Sequence, residues 1–321
     1  MTSLDTPSTD RTLVHLLAAW MSERFYRTFR PIDIDDGTGG YDALLRQRER
    51  TVGVFVETLW PVDARPELSE FETLLTQDVA VDNLVEPGGY GIWIPPKAEI
   101  PTDEPDYSEL RLRLAQGLRA LGNDERRELR IPRKARLAKL ENEGSYMSVT
   151  GGFSTEWLAL SEGLTGAFHL DSSEIARLPK EEAELTTMKN QIRERAMVLE
   201  ENELTEIDLF DHWTVSHLPS TVASGVSVIA PPVDIDPADG TPVRRDLRRA
   251  LKRVNEAPVD IETDLKALVV VTATPHIEKE LVTTALKGMS PMNYVKLDLV
   301  VVVADGELRQ VLKPRKLPWE N

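Results

Sequence analysis

The sequence predicts an α/β protein with a mixed, largely buried sheet flanked by helices and a charged irregular region in the middle of the chain. Towards the C-terminus, stretches with helical periodicity alternate with apolar runs, a pattern typical of an α/β sheet. The runs 268–271 and 299–303 are continuously apolar. Because they lack the polar alternation of a one-sided sheet, we expect helices to cover both faces of these strands.

The N-terminal part opens with an amphipathic helix followed by a hairpin. Leu13, Leu17, Met21 and Phe25 recur every four residues, and Pro31 follows, which predicts a helix over 11–29. Valines on one face and a charged turn then predict a hairpin with strands at 43–46 and 51–57. The next elements are predicted to be a helix at 66–75, a strand at 90–94, a proline-rich connector and a helix at 107–121.

The remaining two thirds of the chain divide into a charged middle and a regular C-terminal part. Residues 123–146 are highly charged and expected to be exposed, and a helix is predicted at 181–199. The C-terminal elements are strands at 222–230, 267–272, 295–303 and 307–313, with helices at 243–254 and 276–287. We therefore expect three regions, 1–122, 123–205 and 206–321, of which the first and third can share one sheet.

Composition limits the classes of function. The formal net charge is −16, from 54 acidic and 38 basic residues, and there is no cysteine. Polyanions are repelled at long range, so any contact with nucleic acid must be local, and disulfides and thiolate chemistry are excluded. The N-terminal residues lack a secretory pattern, and no apolar run reaches the roughly 20 residues of a membrane span. These features predict a cytoplasmic protein without a membrane partner.

The stretch 31–42, PIDIDDGTGGYD, combines four carboxylates with three glycines. A calcium-binding EF-hand loop that began at Asp33 would need a ligand at its fifth position and a glutamate at its twelfth. These positions hold Gly37 and Leu44. The stretch is therefore interpreted as a turn between helix and strand, in which only Asp42 has a plausible further role.

Three acidic residues around this turn suggest a different metal chemistry. Glu23 lies in the first predicted helix, Asp42 precedes the hairpin and Glu57 ends its second strand. Carboxylates suit Mg²⁺, which polarises a phosphate and activates water for phosphodiester hydrolysis. In this order, the segments SERFYRTFR and GGYDALLRQRERTVGVFVETLW resemble the core of the restriction-endonuclease-like, or PD-(D/E)XK, superfamily.

The resemblance implies an α/β fold and a role in nucleic-acid processing or defence. Asp42 would match the first acid of the family and Glu57 the second, both holding Mg²⁺, and Glu23 would match the helical acid that some members add. The lysine that the family carries two residues after the second acid is Leu59 here. The motif is therefore degenerate, and a non-enzymatic scaffold is the alternative.

Two basic segments stand out from the acidic chain. On the helix predicted at 243–254, basic residues occupy one half of the helical wheel and apolar residues the other. The basic residues are Arg244, Arg245, Arg248, Arg249, Lys252 and Arg253. The second segment carries Arg126, Arg127, Arg130, Arg133, Lys134, Arg136 and Lys139. Each segment is a candidate contact for nucleic acid or for an acidic protein, and the alternative is a solvated face that pairs with the many glutamates.

Other common sites find little support in the sequence. His212 and His217, with Asp208 or Asp211, do not have the i, i+4 spacing of a helical zinc motif. Neither a G-x-S-x-G elbow nor a glycine-rich nucleotide motif occurs. The usual hydrolase, dehydrogenase and ATPase interpretations are therefore disfavoured.

Overall fold

The structure of the chain is a computed structural model. It describes residues 9–32, 39–60, 65, 67–81, 88–121, 126–219, 225–233, 239–273 and 275–314. The chain divides into two compact units. The first consists of Met1–Ile94, Leu114–Arg127 and Thr214–Asn321, and the second of Pro95–Arg113 and Glu128–Trp213.

The described residues form a mixed α/β protein, as predicted. The helices are α1 (Thr9–Phe25), α2 (Glu67–Ala80), α3 (Asp106–Leu121), α4 (Trp157–Ser161), α5 (Glu182–Val198), α6 (Gly240–Glu256) and α7 (Pro275–Lys287). The strands are β1 (Arg30–Pro31), β2 (Ala43–Gln47), β3 (Arg50–Thr58), β4 (Gly88–Trp93), β5 (Arg126–Glu141), β6 (Ser145–Gly151), β7 (Gly166–Ser172), β8 (Leu204–Pro219), β9 (Gly225–Ile229), β10 (Leu265–Val271), β11 (Leu299–Ala304) and β12 (Glu307–Leu312). They make two mixed sheets of six strands each.

The first sheet belongs to the first unit and has the strand order β1-β2-β3-β10-β11-β12. Its three central strands, β3, β10 and β11, run parallel, and antiparallel hairpins complete each edge. Every residue of β11 is buried, and the core of this unit joins these strands to apolar residues of α1, α6 and α7. Burial on both faces explains the continuous apolar runs, since each side of the sheet must face hydrophobic neighbours.

The second sheet has the strand order β6-β7-β5-β8-β4-β9. In the first unit, β4 pairs antiparallel with residues 214–219 of β8 and parallel with β9. In the second unit, β7 lies between β5 and β6. A separate apolar core, which includes Phe153 and Phe168, fills the second unit.

The charged segment 123–146 differs from the expectation of an exposed irregular region. It contains β5 and the start of β6, and residues 122–125 lie outside the described part of the chain. Ile131, Ala135 and Leu137 are fully buried at odd-numbered positions of β5, with basic residues between them. The strand therefore has one buried apolar face. Its charged residues lie on the opposite face and at positions beside the apolar stripe.

The β2–β3 hairpin is fixed by a close contact between an aromatic ring and a glycine. The ring of Tyr41 occupies the space where a side chain at position 53 would lie, so glycine is required there. The Tyr41 hydroxyl shares a hydrogen bond of 2.8 Å with Thr263 Oγ1. Before the hairpin, Gly40 has φ of 92° and a Cβ at this position would meet the Pro258 carbonyl. This turn places Asp42 directly before the first residue of β2.

Among the described residues, no helix is long and apolar enough to cross a membrane. This agrees with the absence of a membrane-spanning run in the sequence, and the cytoplasmic location stays a prediction.

Candidate functional site

Asp42 and Glu57 lie at the same end of the β2–β3 hairpin. In the hairpin register Ala43 faces Val54, which places Asp42 beside the last residues of β3. The Asp42 backbone N–H donates to the Val54 carbonyl at 3.0 Å, and the Val56 N–H donates to Asp42 Oδ2 at 2.7 Å. These bonds fix the Asp42 carboxylate against β3, where Glu57 follows Val56.

A guanidinium from a distant part of the chain lies between the two carboxylates. Arg253, on α6, donates from Nη1 to Asp42 Oδ1 at 3.1 Å and from Nη2 to Asp42 Oδ2 at 2.6 Å. Its Nε donates to Glu57 Oε1, and its Nη2 also donates to the Val56 carbonyl at 2.9 Å. We call Asp42, Glu57 and Arg253 the carboxylate–arginine cluster.

The cluster is electrostatically well satisfied. Hydrogen bonding to Asp42, supported by the charges of Asp42 and Glu57, raises the pKa of Arg253 above its ordinary value, although burial opposes this shift. The guanidinium fork matches a carboxylate bidentately, a geometry that a lysine ammonium does not offer. Two carboxylates and one guanidinium leave the cluster with one net negative charge.

The residues present do not fit the Mg²⁺ site that the resemblance implies. Both candidate ligands already accept hydrogen bonds from Arg253. Within the described ranges, no group of three or more histidine or acidic side chains is placed to hold a metal. Mg²⁺ prefers octahedral oxygen coordination, so binding here requires displacement of a hydrogen-bonded cation.

The third predicted acid does not join the cluster. Glu23 lies exposed on α1. In the described part of the chain, no hydrogen bond or ion pair links its carboxylate to Asp42, Glu57 or Arg253. The acidic stretch that precedes Asp42, residues 33–38, lies outside the described residues.

The basic face of α6 is exposed, but its residues have different surroundings. Asp246 is 4% exposed, and it accepts hydrogen bonds from Arg245 at 3.0 and 3.1 Å and an ion pair from Arg249 at 3.6 Å. Lys252 lies 3.9 Å from Glu256. Arg244 and Arg248 form no ion pair with another described residue. Five cations and two anions leave this face clearly positive without Arg253.

A groove of about 660 Å³ runs between α6 and α7 beside this face. Arg244, Arg245 and Arg248 line one side of the groove, and Leu281 and Thr284 line the other. The groove thus combines three guanidinium groups with a partly apolar wall. We call it the α6–α7 groove.

The second predicted basic segment lies on β5, and its cations have local partners. Arg130 pairs with Glu184 at 2.6 Å and Lys134 pairs with Glu206 at 2.8 Å. Arg133 donates to the carbonyls of Pro132 and Glu99. These three residues, predicted to bind a partner, therefore mainly tie the strand to its own unit.

The histidines weighed as metal ligands have other neighbours. His212 is buried and bonds Glu184 at 3.1 Å, whereas His217 stacks on Tyr90 with ring centroids 4.7 Å apart. Burial raises the pKa of Asp211, whose carboxylate accepts three backbone N–H groups and the Trp213 indole N–H. Asp211 therefore serves as a structural acceptor that organises the adjoining loop.

Sequence reasoning missed the role of Arg253. Its place in VRRDLRRALKRV assigns it to the exposed basic face, and no local pattern marks it as the partner of acids 196 and 211 residues away. The only signal was charge complementarity between this helix and the hairpin. Comparisons with protein-family models, curated proteins and solved structures gave no match to the chain.

Proposed function

We propose that this protein is a non-catalytic binding protein with a degenerate endonuclease-like carboxylate pair, and that α6 holds an acidic protein partner. The observation that carries this proposal is the position of Arg253, which uses both Asp42 and Glu57 as hydrogen-bond acceptors. With both acids engaged, the hairpin supports the orientation of α6 rather than metal chemistry. Held in this orientation, α6 presents its basic face and the α6–α7 groove to solvent.

The groove is suited to an acidic segment with some apolar side chains. Arg245 is bonded to Asp246, yet its side chain is 75% exposed, so its charge still faces solvent. Arg244 and Arg248 add two exposed positive charges that other described residues do not neutralise. A partner with carboxylates would gain charge-assisted hydrogen bonds to these arginines. The attraction would be confined to the groove, because the rest of the protein is acidic and repels such a partner.

The test is binding of a fluorescein-labelled peptide that alternates glutamate and leucine, followed by anisotropy. We expect Arg244→Glu/Arg248→Glu to weaken binding at least about tenfold, because each reversal replaces attraction with repulsion. The matched control is Arg195→Glu/Lys97→Glu, which makes the same charge change at exposed positions outside the groove. Equal loss in both double variants, or no loss in either, would overturn the proposal.

A second candidate, a Mg²⁺-dependent nuclease, is favoured by one observation: Asp42 and Glu57 do converge. On this hypothesis, the removal of Arg253 would free two carboxylates for the ion. DNA cleavage with Mg²⁺ or Mn²⁺ should then be measured for the native protein and for Arg253→Gln. Cleavage by the native protein that Asp42→Asn abolishes would establish this candidate and refute the non-catalytic proposal.

A further inference from the structure

A second basic groove lies at the turn end of the β2–β3 hairpin, beside the segment that follows α1. The carboxylate–arginine cluster lies at the other end of the hairpin. The volume of this second groove is about 730 Å³. The residues that carry the argument are Tyr26, Arg27, Arg30, Arg46, Gln47 and Arg48. No aspartate or glutamate is among the described residues that line it. We call it the arginine groove.

Two of these arginines face each other directly. Arg30 of β1 and Arg46 of β2 are partners in the antiparallel register, and both are exposed. Directly opposed residues of an antiparallel pair point to the same side, and like charges in this position destabilise the pair. Neither guanidinium forms an ion pair with a described residue. The fold therefore holds a repulsive pair that a bound anion would relieve.

A polar amide also lines the arginine groove. Gln47 is only 5% exposed, yet it lines the arginine groove. Its amide carries both a donor and an acceptor, which an apolar side chain at this position would not offer. A ligand that enters the groove can supply both a donor and an acceptor.

An aromatic ring stands at the rim. Tyr26 is 93% exposed and follows the last residue of α1 with φ of 53°. Its backbone N–H donates to the Glu23 carbonyl, which fixes the backbone of Tyr26 at the end of α1. The ring itself remains exposed to solvent. An exposed ring beside several arginines offers a stacking surface next to a phosphate site.

We propose that the arginine groove binds a nucleotide unit, with the base stacked on Tyr26 and the phosphate held between Arg30 and Arg46. Guanidinium groups bind phosphate oxygens bidentately, and the Gln47 amide can bond the sugar or the base edge. The volume lies in the usual range of small-ligand sites, about 300–1,000 Å³. The unit has two sources, a free nucleotide or a single-stranded nucleic acid. This inference is independent of the α6–α7 groove.

The experiment uses three probes on the full chain: a fluorescent nucleoside triphosphate, a short labelled oligothymidylate and inorganic tripolyphosphate. We expect Arg30→Gln/Arg46→Gln to weaken binding of all probes at least about tenfold. Tyr26→Ala should weaken only the two probes that carry bases. Preference for the triphosphate identifies a free nucleotide, and preference for the oligonucleotide identifies a nucleic-acid strand.

Matched controls separate this groove from other charges and from misfolding. Arg195→Gln/Lys97→Gln and Tyr146→Ala change exposed residues elsewhere and should leave binding unchanged. Arg30→Gln/Arg46→Gln should melt at an equal or higher temperature than the native protein, because it removes repulsion. The proposal fails if no probe binds, if the arginine variant binds as the native protein does, or if Tyr26→Ala leaves binding of the base-bearing probes unchanged.

Discussion

Arg253 neutralises one of the two negative charges that Asp42 and Glu57 bring to the end of the hairpin. The three side chains are partly exposed, at 44% for Arg253, 27% for Asp42 and 15% for Glu57. Water therefore screens the cluster to some extent, yet the two acids share a single cation. Loss of that cation leaves two carboxylates close together in a half-buried position, which is costlier than loss of an isolated surface pair.

We expect Arg253→Gln to lower the free energy of unfolding by about 1–3 kcal/mol, less than for a fully buried pair because of the exposure. Urea unfolding measures this change. Arg249→Gln, on the same helix and 3.6 Å from its acid, is the control and should stay within about 0.5 kcal/mol of the native protein. Adding Asp42→Asn to Arg253→Gln should recover part of the loss. Equal effects of the two single variants would show that the cluster has no special weight.

A second residue with an unusual environment is Glu72 on α2. Burial raises the pKa of this carboxyl to about 7 from its ordinary 4.5, and the hydrogen bond from the Val228 N–H offsets only part of the effect. The folded state therefore retains a proton that the unfolded chain releases between these two pH values. Since the folded state binds more protons there, Glu72 makes the protein less stable as pH rises through this range.

We expect Glu72→Gln to remove this pH dependence, because the amide keeps an acceptor for Val228 and never ionises. The stability advantage of the variant over the native protein should be small below pH 4.5 and grow until about pH 7. Chemical unfolding across this range measures the difference, in which other titrations cancel. Glu70→Gln, exposed on the same helix, should show no such growth. An advantage independent of pH would contradict the assigned cause.

At the scale of elements, apolar periodicity correctly predicted the helices and strands whose pattern is clear in the local sequence. It failed where charged residues masked that pattern. The helix predicted at 107–121 is α3, and the hairpin strands agree within two residues. In β5 the stripe of Ile131, Ala135 and Leu137 also has a period of two, but seven basic residues within the strand hid it. The meeting of Arg253 with Asp42 depends on tertiary structure and left no mark in either segment.

Two leucines of β5 test this one-sided strand. Leu137 is fully buried in the core of the second unit, whereas Leu140 is 46% exposed. We expect Leu137→Ala to cost about 2–5 kcal/mol of unfolding free energy, through lost burial and a cavity. Leu140→Ala makes the same chemical change at an exposed site and should cost about 0.5 kcal/mol or less. Similar losses in urea unfolding would mean that residues 126–141 are not packed as a strand with one buried face.

At the scale of the whole molecule, the net charge of −16 makes two effects of salt separable. Any salt screens the repulsion among excess carboxylates, which favours the compact state. A specific Mg²⁺ site would add stabilisation by mass action, because the ion would bind only the folded protein. The α6–α7 groove and the arginine groove contribute little to this screening effect. Both grooves are positive, whereas the excess of carboxylates lies elsewhere on the protein.

We therefore expect any extra rise of the melting temperature in MgCl₂ over NaCl at matched ionic strength to be the same in the native protein and in Asp42→Asn/Glu57→Gln, because Arg253 already engages the two acids that Mg²⁺ would need. Thermal unfolding of the native protein and of Asp42→Asn/Glu57→Gln in both salts measures this. Weak binding of Mg²⁺ to other surface carboxylates would raise both proteins alike, so the double variant serves as the control. Extra stabilisation by Mg²⁺ that the native protein shows and the double variant lacks would place the ion between Asp42 and Glu57, and the non-catalytic proposal would then have to give way to the nuclease.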